Sequence, residues 1–136
     1  MKIKIRKNKL WKFFLTKLFH TDEEMTVLTF GRTLYVSNKL KISGVSKDLM
    51  IHELTHSEQQ KRSYLFAIIW WIRYLLSKKF RYRQELEAYQ QQMYFIKTIV
   101  TDRNMLVKFR HRLAHDLSGQ GYNYITSYED AFKQLS

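Results

Sequence analysis

The sequence predicts an α+β fold: a mostly helical domain with a small β-hairpin or sheet preceding a helix that carries His52-Glu53-Leu54-Thr55-His56. Three observations predict it. The run Thr26-Val27-Leu28-Thr29-Phe30 is β-branched and aromatic, and after Gly31-Arg32 a similar run, Thr33-Leu34-Tyr35-Val36, follows, as two short strands around a turn require. Apolar residues then recur at helical spacing through most of the chain. Proline is absent, so no helix meets an obligatory break, and only Gly31, Gly44, Gly119 and Gly121 offer easy left-handed turns. With 136 residues, 45% hydrophobic and 15% aromatic, the chain suits one domain, residues 1–136, and has ample apolar material for a core.

Taken in order, residues 9–20 place Leu10, Trp11, Phe14, Leu15, Leu18 and Phe19 at helical spacing, which predicts an amphipathic helix. The hairpin follows. Beyond Ser43-Gly44-Val45, Ser46 is a good N-cap and Asp48 complements the first turn of the helix bearing the two histidines. Val45, Leu49, Met50 and Leu54 give that helix apolar positions by which to anchor in the core. Two further helices are expected over 63–76 and 81–100, separated by Ser77-Lys78-Lys79-Phe80. Another covers 101–116, and a last one, 127–135, follows a loop near Gly119 and Gly121.

The longest apolar stretch, Leu65 to Leu76, holds 12 residues with Arg73 inside it. A bilayer-spanning helix needs roughly 20. The stretch therefore docks against the core or, being Trp-rich and Lys-flanked, lies on a membrane interface.

Composition narrows the chemistry. Without cysteine there are no disulfides, no thiolate nucleophile and no Cys-ligated zinc, which leaves imidazole and carboxylate as metal ligands. The net charge of +12 favours an anionic partner, nucleic acid or a membrane surface, through basic clusters around residues 2–12, 78–83 and 108–112. Lys17 and the lack of a small-residue cleavage site argue against a secretory signal. A cytoplasmic protein is expected, with peripheral membrane contact compatible.

Histidines at i and i+4 project from one helix face, so His52 and His56 can reach a single tetrahedral metal without bending the backbone. Glu53, beside the first of them, sits where a general base for hydrolysis belongs. Downstream, Glu85 and Glu87 stand on another helix; two residues apart, they face different ways and only one can be a third ligand. A second pair, His111 and His115, has the same spacing but no glutamate after its first member. Its cationic neighbours Lys108, Arg110 and Arg112 make a basic surface patch the more economical reading. His20 is isolated and reads as structural. His115, Tyr82 and Arg83 are unranked candidates for stabilising an oxyanion.

This order of parts resembles the gluzincin metallopeptidases, particularly compact single-domain members and the HtpX-like branch. There a strand precedes the HExxH helix, and a later helix supplies glutamate in a Glu-x-x-Ala pattern, here Glu85-Leu86-Glu87-Ala88. The likeness covers about residues 26–92. It implies a zincin-like fold, Zn2+ held by His52, His56 and Glu85, Glu53 as catalytic base, and a peptide or protein substrate. It also implies that the strand from Thr33 to Val36 aligns an extended peptide by β-augmentation. In the HtpX-like pattern an acidic residue follows the alanine; Tyr89 stands here, which removes the carboxylate partner of a ligand histidine. Tyr89 then either donates a hydrogen bond near the metal or packs. Two other readings compete with the peptidase: a polyanion-binding protein, and a zincin fold kept as a non-catalytic component of a larger assembly.

Overall fold

The structure, a computed structural model, describes residues 2–6, 27–37 and 45–136. The helix expected over 9–20, His20 and Gly44 lie outside the described residues. The described part is mostly helical with a small mixed sheet, the α+β class that the sequence predicts.

Strands β2 (Val27–Phe30) and β3 (Thr33–Ser37) pair antiparallel, from Val27 opposite Val36 to Phe30 opposite Thr33. The turn between them is therefore Gly31-Arg32. Gly31 has φ +58°, the positive value that the first position of such a turn can require. A Cβ there would lie 2.8 Å from Tyr64 Cδ1. Left-handed backbone costs a non-glycine residue roughly 1–2 kcal/mol before any clash. Gly31→Ala is thus expected to lower thermal stability by about 5 °C or more, read by calorimetry; an unchanged melting temperature would show that the turn relaxes freely.

A third strand, β1 (Lys2–Arg6), joins β3 in parallel, giving the order β1-β3-β2. The charge-based reading of the first residues missed it. Its consequence corrects the β-augmentation expectation, because β3 is the central strand and both its edges are already paired. The outward edge of β2 is partly used as well: the Thr29 carbonyl accepts from Gln60 Nε2 and Trp71 Nε1, each at 3.2 Å.

Among the described residues five α-helices follow, α1 (Lys47–Gln59), α2 (Tyr64–Leu76), α3 (Lys78–Ile99), α4 (Arg103–Ser118) and α5 (Tyr128–Gln134), with one 3-10 turn at Gln120–Tyr122. The separation expected over residues 77–80 shrinks to Ser77 alone. Ser77 Oγ accepts from Phe80 N at the start of α3. Arg81 reaches back to the end of α2, donating through Nε to Tyr74 O at 3.0 Å and through Nη2 to Leu75 O at 3.2 Å. These bonds satisfy carbonyls that a helix end leaves without partners, which is why α3 can begin immediately. Asp102 and Ser127 cap α4 and α5 by accepting from Met105 N and Asp130 N.

The buried residues of α3 are Arg81, Glu85, Ala88, Tyr89, Gln92, Met93 and Ile96, a single stripe at helical period. Its apolar members Tyr89, Met93 and Ile96 meet Leu113, Leu117 and Leu135 of the α4–α5 region in the larger core. A smaller apolar cluster joins Leu28 to Trp70 and Tyr74. Of the stripe's polar members Glu85 and Gln92 meet α1, and Arg81 meets the end of α2. Helix α2 buries only Ala67, Trp70 and Tyr74, so it docks on one side and leaves the other uncovered. No helix among the described residues is long and apolar enough to cross a membrane.

Candidate metal centre

The buried face of α1 is made of His52, Glu53, His56 and Ser57, continued by Gln60 at the C-cap. Every one of these side chains is polar. Val45, Leu49, Met50 and Leu54, the expected apolar anchors, are only half-buried. Ser46 occupies the N-cap position without a side-chain capping bond. A buried polar group left unbonded costs about 1–3 kcal/mol, so such a face survives only where partners are supplied. The hairpin supplies most of them. Ser57 Oγ donates to Gly31 O at 2.6 Å, while Gln60 accepts from Gly31 N at 2.6 Å. Thr29 Oγ1 donates to Glu53 Oε2 at 2.7 Å. Helix α1 is thus held to β2 by hydrogen bonds.

What the hairpin does not satisfy is the cluster formed with α3. His52 Nε2 lies 3.1 Å from His56 Nε2, and the Glu85 oxygens lie 3.4 Å from each of these nitrogens. All three residues are buried, and one ligand atom from each falls within 4.8 Å of the others. A tetrahedral zinc with bonds near 2.0–2.2 Å sets its ligand atoms about 3.3 Å apart, so these separations fit a metal ion. Two atoms of the cluster, Glu85 Oε2 and His52 Nδ1, are buried with no hydrogen-bond partner. A carboxylate oxygen in that position needs a positive partner, which either a protonated histidine of the pair or a metal ion supplies. Among the described residues, no other group of three such side chains comes together.

The structure also separates the two glutamates. Glu85 is 2% exposed and points into the cluster; Glu87 is exposed and accepts from Gln59 Nε2 at 3.0 Å. Gln59 in turn pairs its Oε1 with His56 Nδ1 at 2.8 Å, which fixes the ring and turns Nε2 toward Glu85. On α2, Tyr74 donates its hydroxyl to Glu85 Oε1 at 2.5 Å. Burial, and next the Glu85 carboxylate, raise the Tyr74 phenol well above its usual range and keep it a donor. The Trp70 ring tilts against His56 at 5.4 Å between centroids.

Tyr89 packs. Its ring meets His52 edge-on at 4.5 Å, and its hydroxyl pairs with Tyr122 rather than with the cluster. His52 Nδ1 accordingly lacks the carboxylate partner whose absence Tyr89 signals in the sequence.

The cluster opens into a cavity of about 830 Å3 between β2, α1, α2 and the end of α4. His115, Asp116 and Arg112 line its α4 side; Tyr82 and Arg83 do not line it. Asp48 of α1 accepts from Gln92 Nε2 at 2.8 Å and from Arg112 Nη2 at 2.9 Å, tying three helices together at the rim. His111 lies apart, against Phe132 and the Tyr128 hydroxyl, so it shares no metal-ligating group with His115.

Charge in the metal-free cluster is set by competition. Burial pushes the His56 imidazolium down, but the Glu85 carboxylate, with Glu53 and Gln59 adding, outweighs it and carries the pKa from 6.5 to about 9. Burial pushes Glu85 up, yet His56 and His52 hold it well below its usual range. The folded His56 value exceeds the unfolded one, so its contribution to stability is complete below pH 6.5 and lost as pH rises through about 9. Glu85 contributes above 4.5 and loses that contribution in acid. Chelator-treated protein should therefore melt at a lower temperature near pH 9 than near pH 6, and a higher value near pH 9 would refute the coupled pair.

Comparison with protein-family models, with curated proteins and with solved structures gives no match.

Proposed function

We propose that the chain is a metal-dependent hydrolase of the class that holds zinc with two helical histidines and a distant glutamate. Within that class the reading is a peptidase of gluzincin type. The observation that carries it is the convergence of buried His52, His56 and Glu85 beside a buried Glu53 that is held in place by Thr29, all at the wall of one cavity.

His52 and His56 would bind through Nε2 and Glu85 through a carboxylate oxygen, the three-ligand set of catalytic rather than structural zinc sites. Zinc bound there supplies a Lewis acid and an acidified water. The protein's own groups divide the remaining work. Tyr74 orients Glu85, and Gln59 orients His56. Thr29 occupies Glu53 Oε2, leaving Oε1 to take a proton from water and deliver it to the departing amine. Of the three oxyanion candidates only His115 stands on the cavity wall, with Arg112 beside it as a second donor.

The test is zinc content of protein purified without chelator, together with hydrolysis of a quenched fluorescent casein before and after chelation. Stoichiometric zinc and chelator-sensitive hydrolysis support the reading. Metal-free protein that neither takes up added zinc nor cleaves the substrate removes it.

A further inference from the structure

We propose that α2 is a docking face for an anionic lipid bilayer. The proposal starts from periodicity. Leu65, Ile68, Ile69, Ile72 and Leu76 stand at i, i+3, i+4, i+7 and i+11, one side of a helix. The opposite side holds Ala67, Trp70 and Tyr74, which are buried against the sheet and α3. All five aliphatic side chains are between 49% and 82% exposed. Single exposed aliphatics are ordinary, but a contiguous row of five marks a surface that meets something apolar.

Charge identifies what it meets. Between Glu58 and Glu85 there is no acidic residue, while Lys61, Arg62, Arg73, Lys78, Lys79, Arg81 and Arg83 fall in the same span. Arg62 pairs with Glu58 and Arg81 is buried, which leaves exposed Lys61 near one end of α2, exposed Lys78, Lys79 and Arg83 past the other, and Arg73 beside the row. A second copy laid antiparallel on this face would set Lys61 against Lys78 and Lys79; laid parallel, it would set each lysine against itself. Residues 9–20 of the same chain hold no acidic residue and so offer nothing to complement the basic rim. Nucleic acid matches the charge but offers no apolar surface for the aliphatic row. A bilayer with acidic headgroups matches both, since headgroups take the lysines and the acyl boundary takes Leu65, Ile68, Ile69, Ile72 and Leu76. With 13 residues, α2 is about 20 Å long and lies in the interface rather than across it.

Vesicle flotation of the full chain tests this independently of the metal centre. The probes are vesicles of phosphatidylcholine alone and of phosphatidylcholine mixed equally with phosphatidylglycerol. The expected result is binding at least about tenfold stronger to the mixed vesicles, weakened by raised salt. Ile68→Gln/Ile72→Gln and Lys78→Gln/Lys79→Gln should each cut it by about tenfold or more while circular dichroism stays unchanged, because these positions are exposed. Wild-type protein that does not float, or an Ile68→Gln/Ile72→Gln variant that floats as well as wild type, overturns the proposal. So does a dimer in sedimentation, or binding to a duplex oligonucleotide, that this same variant abolishes.

Discussion

Glu85→Ala is expected to abolish stoichiometric zinc binding, measured by plasma mass spectrometry on protein purified without chelator. In the proposed centre three ligand atoms would hold the ion, and removing one would cost more than the roughly 100-fold in affinity that goes with losing an outer partner of a ligand. The alanine variant also leaves the two buried imidazoles without their counter-charge and Tyr74 without its acceptor. Glu85→Gln keeps the shape and a hydrogen-bond acceptor for Tyr74 while removing the charge, so a folded, zinc-poor glutamine variant assigns the loss to ligation rather than to collapse. Glu87→Ala is the internal control: an exposed residue bonded to Gln59, it should retain zinc. Zinc kept by Glu85→Ala and lost by Glu87→Ala would exchange their roles.

Glu53→Gln is expected to do the opposite: full zinc content, with hydrolysis reduced by about 10^2–10^4-fold, the contribution of a positioned general base. Glutamine preserves the Thr29 hydrogen bond through its carbonyl oxygen, so the helix-to-hairpin attachment should persist and melting temperature should change little. A variant that hydrolyses casein at the wild-type rate would exclude Glu53 as the base. A variant that loses its zinc would make Glu53 a structural support of the ligands instead.

Local pattern carried the hairpin, the helices from residue 47 onward and the pair His52/His56, because each is written within a few residues of sequence. The i, i+4 spacing needs only one helix to act. The choice between Glu85 and Glu87 is different in kind, since it depends on which side of α3 faces α1, and helical period alone leaves two adjacent candidates open. Tyr74 and Thr29 are illegible for the same reason, since each acts on a residue of another element and no spacing encodes it; Gln59, at i+3 from His56 on the same helix, is within reach of the spacing argument. Strand β1 is legible in its own residues but not in its pairing. Lys2-Ile3-Lys4-Ile5-Arg6 alternates strictly, the period of a strand, but its partner lies 31 residues away and three of its five residues are cations, a composition that charge alone also explains. The exposure of α2 was hidden by its uniformity, because a run apolar on all sides does not say which side is inside.

The corner between α2 and α3 joins two things otherwise separate. Arg81 clasps the final carbonyls of α2 from the first turn of α3, and one helical turn later comes Glu85, gripped in turn by Tyr74 of α2. Mechanically this is a bracket: the end of α2 and the Glu85 side chain are tied at two points. The outer row of α2 and the Glu85 carboxylate thus rest on one support, made of two side chains and one turn of backbone.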